Sequence, residues 1–241
     1  PLGVVAIAIG VVLLPDLSRK LQAGDTVGGR AAFSRAGEVA LALTVPAAVA
    51  LCVIPVPLIR TLFERAAFTP EDTLATALAV AVYGAGLPAF VLQKVLQPLY
   101  FAREDTRTPL RYAAWAMVVN AVVAIGLAPV MGFIAAAIGT TLAGWAMAAL
   151  LWRGAAQFGE AANPDDRFRA RLWRILAASA VMGGALVIMA AFLAPLYAAA
   201  GGKYLATTIL VLGGIAVYGV AGQLLGAFRL AEFKAAVKRG G

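Results

Sequence analysis

The stretch YAAWAMVVNAVVAIGLAPVMGFIAAAIGTTLAGWAMAALLW, residues 112–152, runs for 41 residues without a charged side chain. A helix that spans a bilayer needs about 20 mostly apolar residues, so this stretch is long enough for two spans. Pro129 and Gly132 lie near its middle, where a proline and a glycine favour a break in the helix. The sequence therefore predicts two membrane helices joined by a tight turn at residues 130–131.

The composition of the whole chain also indicates a membrane protein. Hydrophobic residues make up 62% of the 241 residues and charged residues 13%, against roughly 45–50% and ~25% in soluble domains. A soluble protein cannot bury that much apolar surface, which excludes a soluble enzyme, a disulfide scaffold and a disordered chain. The single cysteine excludes a disulfide within the chain, and the absence of histidine excludes histidine-based metal and acid–base sites.

Four further uncharged runs predict the other complete spans. They cover residues 39–59, 73–93, 175–202 and 204–228. Residues 1–14 are apolar but too short for a span, and we interpret them as part of a helix that continues upstream. No run alternates polar and apolar residues as membrane strands do. The predicted fold is therefore all-α: a polytopic helical membrane protein with about seven transmembrane helices, six of them complete.

The distribution of basic side chains predicts the orientation of these helices. The chain has 20 lysines and arginines against 12 acidic residues, a net charge of +8. Sixteen of the 20 lie on one side of the predicted membrane, three lie on the other, and Lys94 lies within a span. Basic loops stay in the cytoplasm, so we expect a cytoplasmic C-terminus. Orientation and attraction to anionic lipids account for the charge, and no nucleic-acid partner is expected.

Lys94 is the one ionisable side chain well inside a predicted span. It follows the run 73–93, which continues to Phe101, and it is flanked by Gln93 and Gln97. Charged side chains inside a membrane usually face a cavity or a partner, so these three residues predict a substrate cavity. The alternative is that Lys94 extends its ammonium group to the cytoplasmic interface.

Asn120, Thr140 and Thr141 form a second group of polar residues. Asn120 and Thr140 are equally far from the predicted turn, so they are expected at the same depth on adjacent helices. Their side chains are expected either to hydrogen-bond across the two helices or to supply oxygen ligands to a hard cation such as sodium. No other cofactor or metal is expected.

Gly84, Gly86 and Pro88 interrupt the run at 73–93 and predict a hinge, since broken helices are common near transporter cavities. The alternative is a kink that serves packing alone. No pattern of catalytic or nucleotide-binding residues is present, because the carboxylates lie in loops or near the ends of spans. The sequence therefore predicts a protein that is not an enzyme.

Three loop motifs carry a family resemblance. They are LPDLSR at residues 14–19, LFERAAFT at 62–69 and YFAREDTRTP at 100–109. In this order and spacing they resemble the bacterial lipid II flippase family MurJ, also called MviN, of the multidrug/oligosaccharidyl-lipid/polysaccharide exporter superfamily. The resemblance covers the whole chain. Members have fourteen spans with both termini in the cytoplasm, so the seven spans here would be the eighth to the fourteenth, which agrees with the charge distribution.

The resemblance implies one lobe of a two-lobed transporter of the bacterial inner membrane. Residues 1–153 would belong to the second lobe, 154–171 to a cytoplasmic loop and 229–241 to a basic cytoplasmic tail. Residues 172–228 would form two additional helices that border a hydrophobic groove proposed for the polyprenyl tail of the substrate. The implied activity is the flipping of lipid II for peptidoglycan synthesis by alternating access. The implied partners are this undecaprenyl-linked precursor, membrane lipids and the N-terminal lobe of the same chain.

The sequence departs from the family pattern at a known ion site. Some members bind sodium through an Asn and a Thr that match Asn120 and Thr140, but an Asp four residues after the Asn corresponds to Ala124 here. The arginines that meet the substrate pyrophosphate belong to the first lobe and to the segment just before Pro1. The alternatives are a polysaccharide-repeat flippase or a drug/cation antiporter of the same superfamily, or a non-transporting seven-helix membrane scaffold.

Overall fold

The computed structural model describes residues 14–65, 67–198 and 201–227, and every long regular element in these ranges is a helix. The helices are α1 (Leu14–Gln22), α2 (Thr26–Val53), α3 (Pro55–Phe63), α4 (Pro70–Phe101), α5 (Arg107–Met131), α6 (Ile134–Ala155), α7 (Asp166–Leu193) and α8 (Gly202–Leu224), with 3-10 turns at Ala156–Ala162 and Ala194–Ala198. The partial span predicted at residues 1–14, apart from Leu14, and the predicted basic tail lie outside the described residues.

Six of the described helices are long and apolar enough to cross a membrane, namely α2 and α4 to α8. This confirms the all-α class and the six complete spans. The turn predicted inside residues 112–152 is also confirmed, because α5 ends at Met131 and α6 begins at Ile134. Gly132 has a φ of 58° in that turn, a left-handed conformation that glycine adopts without steric cost.

The span predicted at residues 39–59 differs from the structure at both ends. Asp25 caps the start of α2 by accepting a hydrogen bond from the Gly28 amide at 2.8 Å, so the helix begins well before the uncharged run. It ends at Val53, and Ile54 has φ −122° and ψ 41°. Pro55 occupies the first position of α3, where proline is well tolerated, and it disfavours helical geometry in the residue before it, so one apolar run becomes two helices.

Helices α2, α4 and α6 form the centre of the bundle, and α5 packs on the outer side of α6. Their shared core includes the buried side chains of Phe33, Val95, Leu99, Tyr100 and Leu151. Only 6% of the apolar window of α5 is buried within the described residues, so most of its side chains are left for lipid. Helix α7 packs on α2, and α8 packs on α7 and on α3.

Candidate functional site

Helices α4 and α6 are joined by side chains that donate hydrogen bonds to backbone carbonyl oxygens of the opposite helix. Gln93 Nε2 donates to Gly144 O at 2.8 Å, and Tyr100 Oη donates to Leu151 O at 2.7 Å. Thr141 Oγ1 donates to a carbonyl of α4, Val82 O, at 2.9 Å. Interhelical hydrogen bonds of this kind contribute about 0.6 kcal/mol each in membranes. The structure therefore places Gln93 and Thr141, two predicted site residues, inside a helix contact.

Lys94 and Gln97 lie on another face of α4. Lys94 is exposed and Gln97 is half-buried, and their spacing of three residues places them on the same side of the helix. Phe101, one turn further on, is 49% exposed. Within the described residues Lys94 forms no ion pair, and this face of α4 is uncovered in the part of the chain that the structure describes. Both interpretations of Lys94, a cavity residue and an interfacial one, remain predictions.

Gly84 and Gly86 lie at two close helix contacts on opposite sides of α4. A Cβ added at Gly84 would lie 2.8 Å from Leu51 Cβ of α2, and one at Gly86 would lie 3.1 Å from Thr141 Oγ1 of α6. Helix α4 continues through Pro88 without a break. The structure thus gives both glycines a packing role, and the hinge stays a prediction.

The carbonyl groups near Pro88 receive a partner from α6. A proline removes one helical N–H and clashes with the carbonyl four residues earlier, which loosens the backbone hydrogen bonds of the preceding turn. Trp145 Nε1 donates to Ala85 O, in that turn, at 3.0 Å. The carbonyl that Pro88 leaves without a helical N–H is that of Gly84, so the indole bond to Ala85 O is a further contact between the two helices beside the proline.

Asn120 and Thr140 lie on adjacent helices, but their side chains have other contacts. Thr140 Oγ1 donates to Ala136 O of its own helix at 2.9 Å. Asn120 Oδ1 lies against Gly139, where an added Cβ would come within 2.7 Å of it, and Ala124 Cβ borders the same point. One amide oxygen and a hydroxyl that bonds within its own helix do not by themselves complete a sodium site, so the cation site and the hydrogen bond between the two helices both stay predictions. The described residues also contain no cluster of three or more acidic, cysteine or histidine side chains.

An apolar groove lies between α2 and the pair α7 and α8, with a volume of ≈ 340 Å³. We refer to it as the apolar groove. It is lined by Ala42, Leu43, Pro46, Ala47, Ala50, Ile54, Leu58, Met182, Leu186, Leu210, Val211, Gly214, Ile215 and Tyr218. Tyr218 is the one lining residue with an oxygen or nitrogen in its side chain. The groove exists because the alanines of α2 and Gly214 of α8 occupy little volume. The sequence alone did not identify α2 as a wall of this groove.

Helix α8 is held to α3 at one end of the apolar groove by polar contacts. Thr61 Oγ1 and Thr207 Oγ1 are 2.6 Å apart, and Tyr197 Oη is 2.8 Å from Thr207 Oγ1. Lys203 Nζ donates to Glu64 O at 2.6 Å. Glu64 belongs to the motif LFERAAFT, which explains part of that motif: it ends α3 at the point where α8 begins.

Helix α7 is held to α2 at the other end of the bundle by an ion pair. Arg171 Nη1 lies 2.9 Å from Glu38 Oε2, and Arg167 Nε lies 3.6 Å from Glu38 Oε1. The Glu38 side chain is only 8% exposed. The backbone amide of Asp165 donates to Ser34 Oγ at 3.1 Å beside this pair. These contacts fix the start of α7 against α2, and the sequence alone did not identify Glu38 as a partner.

The motif YFAREDTRTP forms the turn between α4 and α5. Tyr100 is fully buried and meets Phe158 edge-on, with ring centroids 4.9 Å apart. The guanidinium of Arg103 lies over the same Phe158 ring at 4.3 Å. Asp105 Oδ1 accepts a hydrogen bond from the Thr108 amide at 3.0 Å, which lowers the pKa of the Asp105 carboxyl below its usual value. The motif is thus explained by turn structure.

Comparisons with known proteins agree on one family. The family model described as lipid II flippase MurJ matches residues 1–209. A protein named probable lipid II flippase MurJ from Rhizobium meliloti (strain 1021) is 40% identical over 248 residues, which cover 100% of this chain and 45% of that protein. The protein of the same name from Rhizobium tropici is 39% identical and covers 99% and 45%. The chain therefore spans about half the length of these curated relatives.

A solved structure shares the fold. It is described as lipid II flippase MurJ in an inward closed conformation, and it matches with a TM-score of 0.73 at 23% identity over 92% of this chain and 43% of that chain. The similar structure supports the helix arrangement, while the family model and the two relatives carry the assignment. The chain belongs to the lipid II flippase MurJ family.

Proposed function

We propose that this chain forms the C-terminal half of a lipid II flippase, which moves the undecaprenyl-linked peptidoglycan precursor across the bacterial inner membrane. The observation that carries the proposal, beyond family membership, is the apolar groove between α2 and the pair α7 and α8. A polyprenyl tail is apolar along its whole length, and a surface of alanine, leucine and isoleucine side chains matches it. The tail stays in this groove while the polar head group crosses elsewhere.

The head group crosses along the open face of α4 that carries Lys94 and Gln97. This face is left uncovered by the described residues, and an N-terminal lobe of the same chain completes the cavity. A lysine ammonium is a compact charge on a flexible stem, so it attracts a pyrophosphate without requiring a fixed geometry. Two lobes then rock around the central cavity, driven by the membrane potential or an ion gradient.

Reconstitution in vesicles tests the proposed activity. The full-length gene product is placed in vesicles that contain fluorescent lipid II, and the dye in the outer leaflet is quenched. We expect flipping by the full-length product and none by residues 1–241 alone, because the cavity needs both lobes. Absence of flipping by the full-length product, or full-rate flipping by residues 1–241, would contradict the proposal.

We also propose that the end of the bundle with Arg103, Arg153 and Arg171 faces the cytoplasm. The asymmetric distribution of basic residues supports this orientation. A cysteine at Thr69, in a Cys52→Ala background, is expected to react with an impermeant thiol reagent in cells whose outer membrane has been permeabilised. A cysteine at Thr26 serves as the matched control and is expected to stay unlabelled. The reverse pattern would invert the orientation.

A further inference from the structure

Pro46 lies inside α2, in the wall of the apolar groove. Proline has no backbone N–H, so the carbonyl four residues earlier loses its helical partner. In α2 that carbonyl belongs to Ala42. A carbonyl without a partner is costly in hydrocarbon, where no water is available to replace the hydrogen bond. Ala42 O therefore needs a donor from outside α2.

Tyr218 of α8 supplies that donor. Its hydroxyl donates to Ala42 O at 2.7 Å. Helix α8 packs along α7 and α3, and at this depth the apolar groove separates it from α2. Ala42, Pro46 and Tyr218 all line the groove, so this hydrogen bond joins its α2 wall to its α8 wall.

We propose that Tyr218 is a positioning residue that sets the width of the apolar groove by bonding to the carbonyl that Pro46 leaves free. The bond joins the part of α2 that precedes Pro46 to α8, so the two walls of the groove keep one separation while it is made. Opening the groove leaves Ala42 O without a donor, which favours the narrow state. The effect on lipid transport rests on the proposed function, whereas the coupling of Tyr218 to Pro46 rests on geometry alone.

A double-mutant cycle separates this role from simple packing of the tyrosine ring. Tyr218→Phe removes the hydroxyl and keeps the ring. Pro46→Ala restores a backbone N–H, so that Ala42 O has a helical partner again. If Tyr218 acts through the freed carbonyl, loss of its hydroxyl changes the groove width and the stability of the parent protein. In the Pro46→Ala background the same loss changes neither. A ring that only packs would give no loss in either background, because Tyr218→Phe keeps the ring. A hydroxyl that acts independently of the freed carbonyl would give the same loss in both backgrounds.

The experiment uses the full-length gene product in a Cys52→Ala background, with spin labels at Arg35→Cys on α2 and Gln223→Cys on α8. We expect Tyr218→Phe to broaden the distance distribution and to change the unfolding equilibrium by about threefold, the average for an interhelical hydrogen bond in a membrane. Tyr204→Phe is the matched control, because Tyr204 lies on the same helix and is 51% exposed. We expect it to change neither measurement.

Equal effects of Tyr218→Phe in the parent and in the Pro46→Ala background would overturn the inference, as would an unchanged distance distribution. Flipping of fluorescent lipid II is measured on the same four proteins. We expect a loss of rate for Tyr218→Phe that Pro46→Ala reduces. Absence of flipping in the parent would contradict the proposed function, while the distance cycle, which needs no substrate, would still decide the role of Tyr218.

Discussion

The α4–α6 interface and the α2–α8 interface are built in different ways. Along α4 and α6, buried hydrogen bonds recur from Thr141 to Tyr100, and glycines allow close approach. Between α2 and α8 lies the apolar groove, bordered by the hydrogen bond from Tyr218 to Ala42 O. The neighbouring polar contacts join α8 to α3 and α7 to α2. The first interface resists sliding along its whole length. The second is held indirectly, through α3 and α7, and leaves an apolar space between its two helices.

The largest expected effect concerns the open face of α4. If the α4–α6 unit is the wall of a cavity for an anionic head group, the positive charge at Lys94 is required for transport. Lys94→Gln in the full-length product is then expected to fail to support growth of a strain depleted of its own flippase, at normal protein levels. Lys94→Arg keeps the charge and is expected to support more growth than Lys94→Gln. Equal growth with both variants would assign Lys94 to the membrane interface.

The second-largest expected effect concerns the ion pair that holds the start of α7 against α2. Glu38→Ala removes one carboxylate of an ion pair whose two side chains are 8% and 15% exposed, and breaking a buried ion pair is strongly destabilising. We expect a loss of about 3 kcal/mol in unfolding free energy, measured by denaturation in mild detergent. Arg167→Ala is the control, because Arg167 is 44% exposed and an exposed pair contributes less than about 1 kcal/mol. Similar losses for both variants would show that the ion pair does not hold this end.

A third change tests close packing at the centre of the bundle. Gly84→Ala places a Cβ 2.8 Å from Leu51 Cβ, and overpacking of this kind costs about 1–3 kcal/mol. Gly126→Ala in α5 is the matched control, because nothing lies within 4 Å of its added Cβ. We expect that variant to be neutral or slightly more stable. Thermal unfolding of both variants checks the difference, and an equal response would argue against a close α2–α4 contact.

The smallest effect concerns one bond of the α4–α6 interface. Gln93→Leu removes the donor to Gly144 O, but that carbonyl lies inside α6 and keeps its helical partner. We expect a loss of about 0.6 kcal/mol, again by unfolding in detergent. Gln97→Leu, on the open face, is expected to change stability less. A loss several times larger for Gln93→Leu would mean that the interface is more cooperative than its separate bonds indicate.

The sequence predicted those features that depend on local composition. The turn at Gly132 followed from a proline and a glycine in a run too long for one span, and the six complete spans followed from uncharged length. The break at Ile54 was missed because a hydropathy count contains no backbone geometry, although Pro55 and Pro57 were visible in the sequence.

Features that depend on packing between distant segments were not predictable in the same way. Gln93 adjoins Lys94, so the sequence favoured a shared cavity, but a helix turns 100° per residue and the two side chains lie on different faces. The pairing of Glu38 with Arg171, or of Ala42 with Tyr218, joins residues more than 130 positions apart. No local pattern specifies such partners.

The open middle of the α2–α8 interface has a consequence for how a tail would be chosen. Leu43 and Ile215, on its two walls, are 37% and 64% exposed, so the groove opens directly to the bilayer. Ordinary acyl chains surround it at very high concentration and compete for it. Binding of the proposed polyprenyl tail would therefore be an exchange reaction, in which one chain replaces another. Selection depends on the difference in fit between the two chains, because burial of apolar surface favours both almost equally.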